Sequence, residues 1–442
     1  MTAGLGIGSR RRSPVTGTSL APFPSKALAS LCDLRRLRIE DGLPDYSVYV
    51  ATSRAIAGIQ ITAAGIDPDP ALARIKAVAE TFERLCLSEP FGSTKYARRR
   101  DLPGPTLDPA RWLPFKPAQY LEANFPYRPW SEDLEYRWIQ GRDLESGTPI
   151  WIPAALVLLG AEDRLTAGVS TGAAAHRSHA AALCAGLYEV IERDALTIMW
   201  ESRSTPPPVN ASALWQDVET RDLDEALGRL GLWLHLRDIT TDVAIPTVLA
   251  AIVDPAYRRP ALAIGAAAGP DLRLACLKAA REAYLTWSWM LDEHRRRPID
   301  LARARRLAAS PVEMMWQAYL YGFPEAADEA GHLFAPTDSS QQALHHHVDV
   351  PSNIGDAATA AFLVKSLVAV GFRPIAVDLL NRQAEAFGFV AVKSIVPGLV
   401  PLSIGDQCRP LANARIAQVP ARMGWMHSEP RPIGSGLPIP LP

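Results

Sequence analysis

The chain has 442 residues, 48% of them hydrophobic and 21% charged, so it can bury a large core as a globular protein. Its 46 Lys and Arg residues nearly balance its 47 Asp and Glu residues, and the formal net charge is −1. This balance creates no global field toward nucleic acid or an anionic membrane, which argues against both as partners. The longest apolar stretches also fall well short of the roughly 20 residues that a membrane span needs.

The five cysteines are scattered, with no Cys-x-x-Cys pair and no zinc-like spacing. An odd, dispersed set favours buried, reduced thiols and a cytoplasmic location over a disulfide framework. The first residues, Met1–Gly17, are rich in Arg, Gly and Ser and contain no apolar run of signal-peptide length. We therefore expect residues 1–45 to form a partly disordered lead-in and residues 46–442 to form one domain.

Hydrophobic periodicity predicts a mixed α/β (α+β) fold with three similar strand, turn and helix passages. The predicted elements are, in chain order, extended structure over 46–66, a helix over 71–88, strands near 136–139 and 151–159, a helix over 178–200, strands over 245–253 and 262–267, a helix over 272–291, a helix over 357–370 and strands near 374–377 and 389–394. The Pro-rich connection over 102–130 cannot be regular helix.

The pattern Glu-x-x-Glu-Arg occurs twice, at Glu80–Arg84 and Glu189–Arg193, both times late in a predicted helix. Two carboxylates three residues apart share a helix face, with Cβ atoms about 5–6 Å apart. If both pairs face one another, they need a cation between them, and hard oxygen ligands favour Mg²⁺. The natural companion of Mg²⁺ is a nucleoside triphosphate. The alternative is that each copy is a solvated helix face with an ion pair.

These motifs resemble the signature of YcaO domain proteins, in which a Ser-Thr-Gly turn precedes Leu-x-Glu-x-x-Glu-Arg-Asp-Ala. Here the turn is Ser170–Gly172 and the helix motif is Leu187–Ala195. The first helix matches the family's Ala-x-x-Glu-x-x-Glu-Arg at its acidic and basic positions, and Lys278–Ala283 resembles the family's third helix. The resemblance covers most of the chain from about Tyr46 onward and implies a YcaO-type ATP-binding fold.

The resemblance implies an ATP and Mg²⁺ site that has no P-loop, and the sequence indeed contains no Gly-rich Walker motif. Carried over residue by residue, it implies Mg²⁺ ligands or their supports at Glu80, Glu83, Glu189 and Glu192. It also implies nucleotide-site residues at Arg84, Ser170, Arg193, Lys278 and Glu282.

Three positions depart from the family pattern: Lys76 replaces a common Ser, Ala181 an acidic residue and Leu285 a Gln. Lys76 lies four residues before Glu80 on the same helix side, so it could supply a phosphate contact instead. The departures also support an alternative in which the chain is a catalytically degenerate scaffold subunit.

The C-terminus reads Pro438-Ile439-Pro440-Leu441-Pro442, which by composition is a stiff extended segment suited to docking. In YcaO proteins such a tail marks the azoline formers and is thought to help organise the active site. The resemblance therefore implies an ATP-dependent cyclodehydratase with Pro442 and Glu192 as catalytic residues. In this chemistry a Cys, Ser or Thr side chain of a peptide attacks the preceding amide, and phosphorylation of the amide oxygen drives ring closure.

The YcaO-like part fills the chain, so we expect a precursor peptide to be presented by a separate E1-like or leader-binding protein. A flavin dehydrogenase is a further candidate partner and a homodimer a candidate assembly. A second enzymatic alternative keeps the ATP site but forms thioamides, against which the proline tail argues. The tract His345–His347 is interpreted as a surface loop, and the basic stretch 294–306 as a solvated helix surface or a dock for an acidic leader peptide.

Overall fold

A computed structural model of the chain describes residues 32–38, 43, 46–53, 61–88, 94–166, 168–210, 217–258, 260–310, 314–335, 347–379, 381–427, 432–434 and 436–441. Its strands are β1 Cys32–Arg36, β2 Ser47–Ser53, β3 Thr62–Asp67, β4 Thr94–Ala97, β5 Tyr136–Asp143, β6 Pro149–Pro153, β7 Ala173–His176, β8 Ser204–Thr205, β9 Trp233–Asp238, β10 Thr247–Val253, β11 Leu262–Ala268, β12 Ile375–Leu379, β13 Val390–Ile395 and β14 Met426–His427.

The α-helices are α1 Pro70–Ser88, α2 His179–Ser202, α3 Val218–Arg229, α4 Leu272–Arg296, α5 Leu301–Ala308, α6 Met315–Leu320, α7 Pro324–Glu329, α8 Asp356–Ala369, α9 Arg382–Ala386 and α10 Arg415–Met423. Short 3₁₀ helices lie at Arg99–Asp101, Pro109–Arg111, Gln119–Leu121, Ala154–Leu156, Gly331–Phe334 and Asp406–Cys408.

The strands of the described ranges form antiparallel sheets that serve as platforms for the long helices. One sheet has the order β1-β2-β3 and a second the order β11-β10-β9. The largest has the order β4-β5-β12-β13-β7, with β6 paired to the free side of β5, and β8 pairs with β14. The mixed fold and its three strand, turn and helix passages, β3–α1, β7–α2 and β11–α4, are therefore confirmed.

Glycines let the helices α1 and α4 lie unusually close to the strands beneath them. A Cβ at Gly65 of β3 would collide with the carbonyl oxygen of Ala73 on α1, and a Cβ at Gly265 of β11 would collide with the backbone of Ala283 on α4. Because no side chain intervenes, both helices are held at a fixed short distance from their sheets. This contact fixes the acidic residues that α1 and α4 carry.

Helix α2 contributes residues to three hydrophobic clusters. Its middle residues Leu187, Val190 and Ile191 pack in one cluster, and its C-terminal residues, including Ile198 and Met199, pack in the larger cluster around β9–β11 and α4. Residues near its start contact β7 and β13. A helix buried on this many sides can hold charged residues only where a partner or a ligand compensates for them.

Two local predictions need correction. The predicted strand over 151–159 ends at Pro153, and Ala154–Leu156 forms a 3₁₀ turn instead. A short apolar run fits a buried strand and a buried turn equally well, so the pattern could not separate them. The strand Cys32–Arg36 pairs with β2 and was not predicted.

Other predictions agree with the described residues. The connection over 102–130 contains 3₁₀ turns, irregular chain and one isolated bridge from Thr106 to Trp151. All five cysteines are buried free thiols, as expected. None of the helices in the described ranges combines the length and the apolar character that a bilayer crossing requires.

Candidate functional site

Acidic side chains from α1, α2 and α4 face one another and form what we call the acidic cluster: Glu80, Glu83, Glu189, Glu192 and Glu282. Burial raises the pKa of Glu83 well above its ordinary value, and the carboxylates of Glu189 and Glu80 raise it further. Glu83 and Glu189 keep some solvent exposure, so they are not sealed in the core. The structure therefore brings together the two motif copies that the sequence places far apart.

A second half of the cluster joins α2 to α4. Burial raises the pKa of Glu192 well above its ordinary value, although Arg193 opposes this shift, and the nearby Glu282 and Glu189 add to it. Burial also raises the pKa of Glu282, to about 7, with Glu189 contributing and Arg193 opposing. Carboxylates with pKa values shifted this way are typical of sites that receive a cation.

Arg193 lies inside the cluster but is poorly paired. Its Nη1 is 3.2 Å from Glu192 Oε1 and its Nη2 is 3.7 Å from Glu189 Oε1. These are ion-pair distances, yet Nε and Nη1 of Arg193 and Oε1 of Glu192 are buried without a hydrogen-bond partner. Burial lowers the pKa of Arg193, but the surrounding carboxylates outweigh this and raise it. Buried polar atoms without a hydrogen-bond partner are rare in proteins and here point to a site built for a ligand.

The Ser-Thr-Gly turn packs against α2 at the edge of the cluster. Gly172 has a φ of 83°, and its amide donates to Glu189 Oε2 at 3.0 Å. A Cβ at Gly186 of α2 would meet the carbonyl oxygen of Gly172, so this contact also requires glycine. The turn is held on its other side by Ser394, whose amide donates to Gly172 O at 2.6 Å. Ser170, a predicted nucleotide-site residue, lies two residues before Gly172 in this turn.

Lys393 of β13 is a site residue that the sequence analysis missed. Its side chain is 2% exposed, and its Nζ donates to the carbonyl oxygen of Val169 at 2.5 Å. Burial lowers the pKa of Lys393 to about 8, although the carboxylates of Glu189 and Glu83 oppose the shift. A single Lys inside the apolar strand Val390–Ile395 was the available signal, because a charge there must be compensated by partners from elsewhere.

The predicted residues on α1 have structural partners of their own. Glu80 accepts from the amide of Ala64 at 2.8 Å and pairs with Arg84 at 2.5 Å, while Arg84 also donates to the carbonyl oxygen of Thr62. Glu80 and Arg84 thus cap the free edge of β3. Among the four motif carboxylates, Glu80 is the one whose oxygens are engaged most fully by the protein itself.

Lysines lie at the rim of the cluster. Lys76 donates to Asp67 at 2.8 Å and to the carbonyl oxygen of Ile66 at 3.0 Å, so a phosphate contact would have to compete with this pair. Lys278 is exposed, with its amine 5.6 Å from the ring centre of Tyr188. The surrounding protein lowers the pKa of Lys278 by desolvation, and Glu282 and Glu192 oppose this.

The other two family departures do not face the cluster with polar groups. Ala181 is buried at the start of α2, where its amide donates to the N-cap residue Ser178. Leu285 packs against the large hydrophobic cluster around α4.

The C-terminal tail is docked through its backbone. Tyr321 donates to the carbonyl oxygen of Pro438 at 2.7 Å, and Trp200 of α2 donates to that of Leu437 at 3.0 Å. The side chains of Ile439 and Leu441 are buried in the large hydrophobic cluster. Pro442, predicted to be catalytic, lies outside the described residues.

The histidine tract is only partly described. His345 and His346 lie outside the described residues, whereas His347 donates to or accepts from Asp238 at 2.7 Å and is mostly buried. His347 lies in irregular chain before the exposed residues Val348 and Asp349, and the buried carboxylate of Asp238 on β9 holds its partly exposed ring. His179, near the Ser-Thr-Gly turn, pairs with Asp378 at 2.7 Å on the surface.

The cluster can be tested for its fit to Mg²⁺ and a nucleotide. Within the described part of the chain, no three His, Cys, Asp or Glu side chains stand close enough to form a complete metal site. Mg²⁺ that arrives with a nucleotide needs only one or two carboxylates, because phosphate oxygens and water fill its other positions. Glu83, Glu189 and the unpaired oxygen of Glu192 are donors of this kind, and Arg193 offers unpaired donors to phosphate. The residues therefore fit a metal–nucleotide complex better than a metal held by protein alone.

Comparison with protein families identifies the fold. The profile of the family described as YcaO cyclodehydratase, ATP- and Mg²⁺-binding, matches residues 64–400, well over half of the chain. The chain belongs to the YcaO family. The resemblance stated from the motifs is thereby confirmed, and so is the expectation of ATP and Mg²⁺ as the cofactors of this family.

Known relatives extend the match along the chain. An uncharacterised protein of Methanothermobacter thermautotrophicus is 27% identical over 375 residues, which covers 83% of this chain and 88% of the relative. A solved heterocyclase in complex with substrate and cofactor is 18% identical, with a TM-score of 0.73 over 92% of this chain and 54% of the heterocyclase. The chain thus spans about half the length of that heterocyclase.

Two further YcaO-fold structures cover nearly the whole of both chains. YcaO from Methanopyrus kandleri, bound with AMPPCP and Mg²⁺, is 21% identical with a TM-score of 0.57, covering 85% of this chain and 87% of its own. A chain of the E. coli microcin synthetase McbBCD complex with pro-MccB17 bound is 14% identical with a TM-score of 0.61. The match covers 92% of this chain and 96% of the synthetase chain. At these identities the likeness establishes the fold alone.

Proposed function

We propose that the protein is an ATP-dependent peptide cyclodehydratase that forms thiazoline or oxazoline rings from Cys, Ser or Thr residues of a ribosomally made precursor peptide. The observation that carries the proposal is the Glu192–Arg193 ion pair of the acidic cluster, in which Glu192 Oε1 and Arg193 Nε and Nη1 have no hydrogen-bond partner. These atoms offer both a metal ligand and a phosphate contact. Membership of a family of ATP- and Mg²⁺-binding cyclodehydratases supports it.

The chemistry assigns a task to each part of the cluster. ATP would supply the phosphoryl group that converts the amide oxygen into a leaving group, and Mg²⁺ would neutralise charge on its phosphates. Glu83, Glu189 and Glu192 would hold the metal, and Arg193 and Ser170 would contact phosphate. Glu282 completes the acidic wall. Summed over the reaction, each ring costs the peptide one water while ATP becomes ADP and phosphate.

The raised pKa values of Glu83 and Glu192 add a measurable property. Carboxylates that hold a proton must release it when a divalent cation binds. Binding of the magnesium complex of a nonhydrolysable ATP analogue should therefore release protons. Calorimetry in two buffers of different ionisation enthalpy measures this release directly.

The tail supports azoline formation over other YcaO chemistries. Leu437, just before the tail, is held by Trp200 near the C-terminal end of α2, the helix that also carries Glu189 and Glu192. We therefore assign Pro442 a role in organising the active site. The peptide would be presented by a separate E1-like or leader-binding protein, and a flavin dehydrogenase would act on the rings afterwards.

The test combines phosphate release with mass spectrometry of the product peptide. With the partner protein, peptide and Mg·ATP present, each ring should lower the peptide mass by one water, and Glu189→Gln should abolish both ring formation and phosphate release. Glu225→Gln, an exposed carboxylate on α3, is the matched control and should leave both unchanged.

Two results would replace the proposal. A gain in mass from exchange of oxygen for sulfur, when sulfide is supplied, would identify a thioamide-forming enzyme. Absence of phosphate release from the wild-type complex with its peptide would identify a scaffold subunit, for which Lys76, Ala181 and Leu285 are the sequence support.

A further inference from the structure

Strand β7 directly follows the Ser-Thr-Gly turn and lies at the edge of the largest sheet in the described ranges. It pairs with β13 on one side, with Ala173 opposite Lys393 and Ala175 opposite Ala391. The other side of β7 has no strand partner among the described residues. Such an edge presents backbone N–H and C=O groups to which another extended chain can hydrogen-bond.

The register shows which backbone groups of β7 point to this open side. The amide of Ser394 donates to Gly172 O, so these two residues form a hydrogen-bonded pair. Because hydrogen-bonded and non-hydrogen-bonded pairs alternate along an antiparallel ladder, the N–H and C=O of Ala173 and Ala175 point away from β13. The amide of Ala173 donates to Ser170 O at 2.8 Å. Ala173 O and both backbone groups of Ala175 are therefore left without a partner in the described part of the chain.

Two other strand edges in the described ranges are protected against strand addition. On β3, Glu80 accepts from the amide of Ala64 and Arg84 donates to Thr62 O, so side chains occupy the backbone groups of that edge. The edge strand β1 carries exposed charged side chains such as Arg35, which disfavour a further strand. Strand β7 has neither device, because its first three residues are alanines.

The open edge of β7 leads to the acidic cluster. Gly172, the residue before β7, donates its amide to Glu189 Oε2 at 3.0 Å. Successive residues of a strand are about 3.3 Å apart, so Ala175 lies about 10 Å along the strand from Gly172. Ala175 is half-buried, and His176 at the far end of β7 is exposed. An extended chain on this edge therefore enters beside His176 and reaches the cluster within about three residues.

We propose that the open edge of β7 binds the substrate peptide as an added antiparallel strand. One peptide residue exchanges both backbone hydrogen bonds with Ala175, and the residue two positions later donates to Ala173 O. The peptide then runs from His176 toward Gly172. The residues that precede the reacting Cys, Ser or Thr lie on β7, and the reacting amide arrives at the acidic cluster.

A peptide fits this edge better than the other chains that could cover it. This inference rests on the proposed function, in which a peptide is the reactant whose backbone amide must reach the acidic cluster. The C-terminal tail of the chain lies elsewhere, because Ile439 and Leu441 are buried in the large hydrophobic cluster around β9–β11. Strand β7 contributes to other clusters, through Ala173 and Ala174.

The experiment measures binding of one probe, the fluorescein-labelled peptide Val-Thr-Val-Thr-Val-Cys-Gly, by fluorescence anisotropy with and without the magnesium complex of AMPPNP. Ala175→Pro removes the outward N–H of β7 and leaves the hydrogen bonds between β7 and β13 in place. It should weaken peptide binding about tenfold, the size expected for one or two lost hydrogen bonds. Affinity for the magnesium complex of AMPPNP should match wild type, because the nucleotide makes no contact with this edge.

Ala175→Ser is the matched control. It keeps the backbone N–H and adds one side-chain atom, so peptide affinity should stay within about threefold of wild type, less than the loss of a backbone hydrogen bond produces in the proline variant. Circular dichroism and the affinity for the magnesium complex of AMPPNP establish that both variants are folded.

A second measurement uses the wild-type chain and varies the peptide. Methylation of one peptide nitrogen at a time removes one N–H donor. In an added strand only alternate residues point their N–H groups at β7, so every second methyl group before the Cys should weaken binding about tenfold and those between should change it less than about threefold. This alternation decides the proposal even if Ala175→Pro does not fold.

Three results would overturn the inference. They are absence of peptide binding by wild type, equal peptide affinity in wild type and folded Ala175→Pro, and sensitivity to methylation that does not alternate. A wild-type dimer that dissociates in Ala175→Pro during sedimentation would also overturn it, because a second copy would then occupy the edge. Peptide binding with the expected alternation, but no binding of the magnesium complex of AMPPNP, would refute the proposed function and retain the peptide site.

Discussion

Helix α2 carries two kinds of buried charge, and the contrast between them separates the site from its support. Its middle part contains Glu189, Glu192 and Arg193, and there Glu192 Oε1 and Arg193 Nε and Nη1 are buried without a hydrogen-bond partner. Its following part contains Asp194 and Glu201, both 0% exposed. We call these the unpaired part and the paired part of α2.

The paired part is satisfied by the C-terminal region of the chain. Asp194 accepts from Arg415 at 2.6 and 3.1 Å and from the amide of Val400 at 2.8 Å. Glu201 accepts from Arg409 at 2.9 Å and from Ser403 at 3.0 Å. Each of these partners lies later in the sequence than α2, at a separation of about half the length of the whole chain. The contacts therefore hold the C-terminal region onto the helix.

The unpaired part differs because its neighbours repel it as much as they attract it. Glu282 raises the pKa of Glu192 on α2, and Glu189 on α2 raises the pKa of Glu83. A stable protein tolerates such an arrangement when binding supplies the missing partners. Burial of a carboxylate alone therefore does not indicate a functional site, whereas burial of its oxygens without hydrogen-bond partners does.

The largest expected effect is on stability in the paired part. Arg415→Met leaves Asp194 and Asp242 buried without their shared cation, so the free energy of unfolding in urea should fall by about 3–5 kcal/mol. Arg422→Met removes a second, 61% exposed partner of Asp242 and should cost less than about 1 kcal/mol. Equal losses in the two variants would contradict the distinction between buried and exposed pairs.

The second prediction compares one variant from each part of α2 by two measurements, phosphate release and melting temperature. Glu192→Gln should lower ATP-dependent phosphate release at least about 100-fold, a loss of the size seen when one electrostatic contact to a reacting group is removed. Its melting temperature should be unchanged or higher, because a repelling charge is gone.

Glu201→Gln is the matched variant in the paired part. It weakens the contact to Arg409 and should lower the melting temperature, with phosphate release retained in the folded protein. If both variants lose stability and activity together, α2 has no functional division.

Much of this division could be predicted from sequence because the signals are local. Each Glu-x-x-Glu-Arg copy lies on one helix, and helical periodicity alone places its carboxylates on a common face. The matched order of motifs then indicated that α1, α2 and α4 meet. The pairing of Asp194 with Arg415 carried no such signal, since it depends on where a distant segment returns.

Lys393 and Lys76 show the same limit. Lys393 reaches the cluster through the β13–β7 register, which no local pattern encodes. For Lys76, i, i+4 spacing correctly indicated the Glu80 side of α1, but the turn between β3 and α1 also brings Asp67 within 2.8 Å. The partner of Lys76 therefore lies across this turn, on Asp67, and not on the helix that carries Lys76.

The third prediction uses the pH dependence of the ligand-free protein. Glu282 has an ordinary pKa of 4.5 when unfolded and about 7 when folded, chiefly because of burial. The folded state therefore binds the proton more tightly, and its contribution to stability is complete below pH 4.5 and is lost as pH rises through about 7. We expect the free energy of unfolding to fall by about 3 kcal/mol over this window from this group.

Denaturant unfolding between pH 4.5 and 8 measures this fall. Glu282→Gln should flatten the profile, whereas the exposed Glu225→Gln should leave it as in wild type. Saturating magnesium complex of the ATP analogue should also flatten it, because bound cations favour the ionised carboxylates. A profile that Glu282→Gln does not change would place the titration elsewhere.

The smallest effect concerns the tail, which links the paired part to the chain end. Tyr321 is 1% exposed and donates to Pro438 O, so Tyr321→Phe removes one buried hydrogen bond and should cost about 1 kcal/mol. Amide exchange at Leu441, whose amide donates to Ile439 O, should accelerate about fivefold if the tail opens by itself.

Tyr257→Phe, whose hydroxyl binds Asp328 at an exposed position, serves as the control and should leave this exchange unchanged. Faster exchange at Leu441 with an unchanged melting temperature would show that the tail opens independently of α2. Faster exchange that occurs only with a lower melting temperature would show that the tail opens together with the paired part. In the first case, a loss of ring formation in Tyr321→Phe would assign that loss to the tail, because the acidic cluster and its support are intact.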